Sequence, residues 1–412
     1  MDALRDRVSS EAPPAAGRDP LRTTFSALAF GLLPLLLLGG FVIGAIGHRF
    51  AFDFHTFWDA ARTVAKGHSP YPSPATVAHA HPADGDYEYF VYPPPFVLGV
   101  LPLAALPFGL AAAVWTVALV GCIVATLWIL DVRDWRCYGL AFAAVPMLSA
   151  LRLGAVTPLL MLLAALAWRY RNSTVKAGGA VGCAIVIKLF LWPLALWLLV
   201  TRRWRAAAFA VGGAGATTAL AWAVLGFDGL RDYPTLLRTL SSVEGRETYS
   251  LVALTERLQL PDPSRSWLLL AVPIALALVW ASRVVGRRDT DATLFGAAIG
   301  VALLLSPIVW LNYFALLLVP IALRRKALGI EWGLLAMFWL TPSPEPAAHP
   351  LWQLVLVTVL VVVLTVGLRA KAQQEAVASA DAPNVRGAAS SHRRPWRSRE
   401  PAPRAALIRS RR

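Results

Sequence analysis

Charge is scarce in this 412-residue chain: Asp and Glu together number 24, and only 15% of residues are charged while 57% are hydrophobic. With a mean hydropathy of +0.57, it falls outside the soluble globular class, in which about a quarter of residues are charged. Cysteine is nearly absent too. Cys122, Cys137 and Cys183 lie in or beside apolar runs without metal-ligand spacing, so neither a zinc module nor a disulfide framework is expected. There is no glycine-rich nucleotide motif and no repeat of fixed period, and no cofactor is implied. The net charge of +15 does not point to nucleic acid, because Lys and Arg sit in short clusters between apolar runs and in the C-terminal tail. That pattern reports membrane topology.

What the chain has in abundance is apolar runs that each approach the length needed to cross a hydrocarbon core of roughly 30 Å, where helices are the form that satisfies the backbone. The prediction is an all-α polytopic bundle of about 12 transmembrane segments. They lie near 24–46, 109–130, 137–150, 155–168, 177–188, 189–200, 205–225, 267–285, 290–305, 307–323, 331–342 and 350–368. The first run, Phe25 to Ile46, exceeds a signal-peptide core and has no convincing cleavage site, so it is kept as a span. Placing Arg133 and Arg136, Arg169 to Lys176, Arg202 to Arg205, Arg283 to Arg288, Arg324 to Lys326 and Arg369 onward in the cytoplasm lets every span alternate. The alternation requires that Pro94 to Leu106 is not a full crossing and that 177–200 is two short helices meeting near Lys188. The expected organisation is a cytoplasmic N-terminus over 1–22, a transmembrane domain over 23–369 and a basic cytoplasmic tail over 370–412. Both ends are too apolar-poor to fold alone. Two loops, 47–108 and 226–266, then face outward from the cell membrane.

The first outer loop holds His48, His55, His68, His79 and His81, five of the seven histidines, with Asp53, Asp59, Asp84, Asp86 and Glu88. The periodicity of Phe54, Phe57, Trp58, Ala61 and Val64 predicts an amphipathic helix on the membrane surface, opened by Asp53 as N-cap and closed by Gly67. Asp59 is placed to pair with Arg62 one turn on. His79-Ala-His81 has ligand types but no established metal spacing, and no metal is expected. Tyr92-Pro-Pro-Pro95 reads as an extended re-entry to the membrane. Lys188 lies inside an apolar stretch, where ionisable groups are costly and usually serve a site. A cation at the junction of two short helices suits a phosphate at membrane depth. Arg152 is a second candidate of that type.

Five segments in this order resemble glycosyltransferase family 87: Asp53-Phe-His-Thr-Phe-Trp-Asp-Ala-Ala, Gly67-His-Ser-Pro-Tyr71, Tyr92-Pro-Pro-Pro95-Phe, Ala184-Ile-Val-Ile-Lys188 with Arg202-Arg-Trp-Arg205, and Leu305-Ser-Pro307. The resemblance implies a GT-C-type membrane enzyme that takes a sugar, mannose or arabinofuranose, from a polyprenyl phosphate on the outer face. The acceptor would be a hydroxyl of an envelope lipid or glycan. It also implies a catalytic aspartate at Asp53. With that role in place, the residues themselves put Lys188 and Arg152 toward the donor phosphate and His55, Tyr92, Tyr249 and Asn312 toward substrate. Where many members have Gly-Gln-x-Asn and Asn-Gln-Ser-Leu, this chain has Gly154-Ala-Val-Thr157 and Thr248-Tyr-Ser-Leu251. Where histidines often follow Ser306-Pro307, it has Trp310-Leu-Asn-Tyr313. A non-catalytic lipid or solute transporter is the rival reading, since a buried lysine and broken helices fit it as well.

The orientation is testable in intact cells after replacement of the native cysteines. A single cysteine at Ser73 should react with an impermeant thiol reagent, and one at Ser390 should not. Labelling of the tail alone, or of both equally, defeats the alternation.

Overall fold

A computed structural model describes residues 20–45, 50–78, 89–245, 247–285, 290–342 and 349–366. Among them the chain forms helices and connecting segments and no strand. The two termini, His48, His79, His81, Asp84, Asp86 and Glu88 lie outside the described residues.

The apolar runs are all helical, as composition demands, but they differ in length. Thr23–Gly40, Phe108–Ile129 and Trp204–Val224 are long and apolar enough to cross a membrane, and the pair Val145–Leu153 and Thr157–Arg169, bent by 116°, makes a fourth if taken as one broken span. The remaining apolar helices are shorter, from Pro94–Ala104 to Leu351–Val366. Large apolar side chains such as Val117, Val211, Leu220 and Leu269 stand exposed on these helices, an arrangement suited to lipid and unsuited to water. The run read as one span at 137–150 is instead two helices, Trp135–Ala143 and Val145–Leu153, because Ala144 is extended and Pro146 opens the second helix without a backbone donor. Two late runs are wound partly as 3-10 helix, Leu311–Leu317 and Leu334–Leu340.

The break near Lys188 is present. Thr174–Ile187 ends at Lys188, whose backbone is extended (φ −149°, ψ 111°), and Pro193–Val200 resumes after one 3-10 turn. The first of these helices lies against Trp204–Val224 through small residues. A Cβ on Gly178 would stand 2.6 Å from Ala206 O and one on Gly182 would stand 3.0 Å from Ala210 O, so the backbones approach as closely as glycine permits.

The basic clusters converge on few acids. Arg171 (3.2 Å) and Arg203 (2.7 Å) both reach Asp291, which also accepts from Trp197 Nε1 at 2.9 Å, so two loops and a helix share one carboxylate. Arg324 and Arg325 flank Glu331, which is 1% exposed. Lys326 donates to Leu130 O, and Asp134 binds Arg136 at 2.8 Å and Leu328 N at 3.1 Å.

Asp291→Ala would leave two guanidiniums and an indole N–H without their acceptor. It should cost on the order of 2 kcal/mol, as lost hydrogen bonds to a charged group do, and lower the melting temperature in detergent. An unchanged melting temperature would reduce this junction to a surface ion pair.

Candidate active site

Asp53 stands in the first turn of the helix Phe52–Ala65 and is 8% exposed. It is not the N-cap that local sequence suggests. Helix entry is set by a tertiary contact: Ala51 adopts a left-handed conformation (φ 55°), its N–H donates to Arg152 O at 2.8 Å, and its own carbonyl accepts from His55 N at 2.7 Å. Gly154, also left-handed at φ +68°, packs beneath, and a Cβ there would come within 2.8 Å of Phe54 Cβ. A left-handed alanine costs on the order of 1 kcal/mol, which this contact maintains two residues before the carboxylate. The helix ends as expected: Gly67 (φ +81°) and His68 donate to Val64 O and Thr63 O, the paired bonds of a glycine-terminated helix.

The apolar face of this helix meets protein and not lipid, which corrects the surface-helix expectation. Phe54 stacks on Trp115 at 5.2 Å, and Phe57 meets the edges of Tyr92 and Phe96 at 4.8 and 4.9 Å. Periodicity marks a face without saying what covers it. The expected Asp59–Arg62 pair is absent, because Arg62 lies over the Trp58 ring at 4.6 Å. His55, two residues from Asp53, is exposed on another side of the helix against Phe108, 4.9 Å between ring centres.

Lys188 leaves its helix and extends its ammonium into an aromatic setting. Nζ donates to the Tyr92 hydroxyl at 3.0 Å and stands 3.9 Å from the centre of the Tyr313 ring, which stacks on Phe190 at 5.3 Å. Aromatic faces stabilise a cation that has few waters. The "extended proline" expectation holds for Pro93 alone (φ −56°, ψ 149°). Pro94 and Pro95 open the helix Pro94–Ala104, where a missing N–H is harmless.

Glu244, which no motif marks, completes the group. It ends the helix Tyr233–Glu244, and it is close enough to Lys188 and Asp53 for both charges to act on it. Burial first, and then Glu247, push its carboxyl up to about 7, Lys188 opposing and Asp53 adding to the shift. One signal in its sequence is visible afterwards: an acid just before Gly245, at a helix C-terminus, opposes the helix dipole. Lys188 and Tyr92 are thus in direct contact, and Glu244 lies within electrostatic range of Lys188 and of Asp53.

The remaining candidates fall around it unevenly. Arg152 is exposed and is tied to the Asp53 helix through its carbonyl. Asn312 precedes Tyr313, is 2% exposed, and its Oδ1 has no hydrogen-bond partner among the described residues. Tyr249 faces elsewhere, its hydroxyl donating to Thr341 O at 2.5 Å and its ring stacked on His349 at 3.8 Å. Among the described residues no group of three or more His, Cys, Asp or Glu side chains is placed to hold a metal ion.

Comparison with known proteins bears on this arrangement. The profile of glycosyltransferase family 87 matches residues 90–311, over half of the chain, a stretch that includes Tyr92, Arg152, Lys188 and Glu244. A relative in Mycolicibacterium smegmatis, a polyprenol-phosphate-mannose-dependent alpha-(1-2)-phosphatidylinositol pentamannoside mannosyltransferase, is 27% identical over 301 residues, 64% of this chain and 70% of that protein. No solved structure matches the chain. With its apolar helices and its match across more than half its length, the chain belongs to glycosyltransferase family 87 and is a membrane glycosyltransferase.

Proposed function

We propose that this enzyme transfers mannose from a polyprenyl phosphate to a hydroxyl of an envelope lipid or glycan at the outer face of the cell membrane, with inversion. The observation that carries the reading is the Lys188 ammonium, held at a helix break by Tyr92 and Tyr313 within the electrostatic reach of a group that also senses Asp53. The mannosyl donor of the mycobacterial relative supports the choice of sugar and carrier. Family membership sets the transporter reading aside.

In the proposed reaction Asp53 accepts the acceptor's hydroxyl proton as its oxygen attacks the anomeric carbon. The bond from that carbon to the phosphate oxygen breaks, and the electron pair leaves with the lipid phosphate. Lys188 compensates the charge that develops there, and electrostatics are strong because water is scarce. A phenol that accepts a hydrogen bond from an ammonium is polarised into a better donor toward an anion, so Tyr92 acts with Lys188. Asn312 offers its amide oxygen to a sugar hydroxyl. One displacement with no covalent sugar-enzyme intermediate inverts the anomeric centre.

The topology belongs to the same proposal: about 12 membrane segments within 23–369, with the loops 47–108 and 226–266 outside. Its support is the gathering of basic loop ends on Asp291, Glu331 and Asp134, while Asp53, Tyr92 and Glu244 come from the other loops.

The test is sugar transfer in membranes supplied with radiolabelled polyprenyl-phosphate mannose and extracted envelope lipids. Asp53→Asn keeps the shape of the side chain and should melt within about 1 kcal/mol of wild type, the helix-dipole contribution of its charge, yet lose transfer by 100-fold or more, roughly the share of a general base. Lys188→Ala should weaken donor use strongly and Lys188→Arg recover part of it, because the charge is retained. Transfer by Asp53→Asn near the wild-type rate would overturn the base assignment.

Glu244 gives a pH dependence. Its carboxyl rises from an ordinary value of 4.5 to about 7 on folding, so the folded protein holds that proton more tightly. The associated stability is present below pH 4.5 and is lost as pH rises toward 7. Glu244→Gln cannot lose it. The melting temperature of Glu244→Gln relative to wild type should therefore climb between pH 5 and pH 8, and a flat difference would place the carboxyl outside the cluster.

A further inference from the structure

Tyr92 is the phenol that meets Lys188, yet it stands on a strap that regular structure does not hold. Residues 89–93 are non-helical, and the prolines that follow contribute no backbone donors. Two other tyrosines grip this strap. Tyr71 donates its hydroxyl to Tyr92 O at 2.9 Å, and Tyr233 donates its hydroxyl to Val91 O at 2.9 Å, so adjacent carbonyls are each satisfied by a phenol. The donors come from different parts of the chain, Tyr71 from the loop after the Asp53 helix and Tyr233 from the first turn of the helix that ends at Glu244.

The two phenols are themselves fixed by packing. Tyr71 stacks on Trp222 at 5.1 Å and meets Tyr233 edge-on at 5.2 Å, and Trp222 meets Tyr233 at 5.6 Å. Trp222 belongs to the last turn of the long helix Trp204–Val224, which anchors the aromatic group to the bundle. Leu236 and Leu240, one and two turns along from Tyr233, pack with Tyr71, Tyr89 and Val91. Burial pushes both phenols well above their ordinary range, so each keeps the proton that it donates. Of the two, only Tyr71 falls in a segment shared with the family, Gly67-His-Ser-Pro-Tyr71.

We propose that Tyr71 and Tyr233 are positioning residues, a two-phenol clamp that holds the Tyr92 strap so that its hydroxyl meets Lys188 at the donor phosphate. The clamp rests on the reading of Lys188 and Tyr92 as phosphate-binding groups. Its consequence is that the second outer segment, by docking Tyr233 on Val91, controls donor use without touching the donor. A displacement of about 1 Å in such a group is enough to lower a rate substantially.

The test is a double-mutant cycle in the full-length enzyme, with polyprenyl-phosphate mannose as donor and envelope lipids as acceptor, at matched amounts of folded protein. Tyr71→Phe and Tyr233→Phe keep the rings and remove the donors. Each should raise the KM for the donor, or lower its kcat/KM, on the order of 5- to 20-fold, with the KM for the acceptor unchanged. In a Tyr92→Phe background, where no hydroxyl is left to position, the same substitutions should add little. Tyr233→Phe supplies the result if Tyr71→Phe does not accumulate. Losses that multiply in full in the Tyr92→Phe background, or that fall equally on donor and acceptor, would overturn the clamp while leaving the phosphate site intact. If Lys188→Ala and Tyr92→Phe both use donor at the wild-type rate, the phosphate reading fails and the clamp with it.

Discussion

Keeping an ammonium charged among apolar helices requires groups of negative potential close at hand, and most of the site follows from how Lys188 obtains them. The helix Thr174–Ile187 has to end for the side chain to reach Tyr92 and Tyr313, and the extended backbone at Lys188 is that ending. Where the end lies is set further back, by Gly178 and Gly182 seated on Ala206 and Ala210, which fix the helix against its neighbour. The two rings and one phenol oxygen that receive the ammonium come from two distant segments, the strap before Pro93 and the 3-10 turn Leu311–Leu317. One half-buried cation therefore ties together parts of the chain that sequence separation keeps apart.

The legible features were those in which a residue conflicts with its surroundings. A lysine between Ile187 and Leu189 announces itself, and Pro193 announces the broken helix, because both are costly where they stand. Helix content was legible for the same reason, since lipid-facing backbone has few alternatives. What stayed hidden were choices made by tertiary contact. Asp53 looked like a cap because the local pattern permits it, whereas the entry is set by Ala51 on Arg152 and Gly154, about 100 residues on. The apolar stripe of the same helix was visible, but its cover was not. Glu244 was least legible, since a lone acid at the end of an amphipathic helix reads as solvated and only its position against the helix dipole distinguishes it.

In a chain with so few acids, their distribution is informative. Asp291 and Glu331 each sit between two arginines, and Asp134 binds Arg136 and a backbone N–H, neutralising basic loop ends that would otherwise repel one another. An ion pair of this kind adds little where water is plentiful, but removing one partner leaves a stranded charge, which is the larger effect. Asp53 and Glu244 are used differently. Glu244 instead lies within electrostatic range of a lysine that is already held by aromatic groups, and of Asp53.

In the proposed reaction two carboxyls act near one departing phosphate, an electrostatic problem that their different environments would answer. Inversion by direct displacement needs one ionised base. A second ionised carboxylate would raise the energy of the transition state, because negative charge grows on the phosphate as the bond breaks. With its carboxyl pushed up to about 7, Glu244 holds a proton for much of the time near neutral pH, and so subtracts less from the stabilisation that Lys188 provides. Protonated, it is also a hydrogen-bond donor, which a hydroxyl-rich sugar or a phosphate oxygen accepts and a carboxylate cannot supply. Groups pushed apart in pKa can divide acid and base duties that two equal groups would contest. On this view the helix Tyr233–Glu244 contributes twice to the proposed chemistry, by steadying the Tyr92 strap at one end and by bringing a carboxyl of altered acidity to the site at the other.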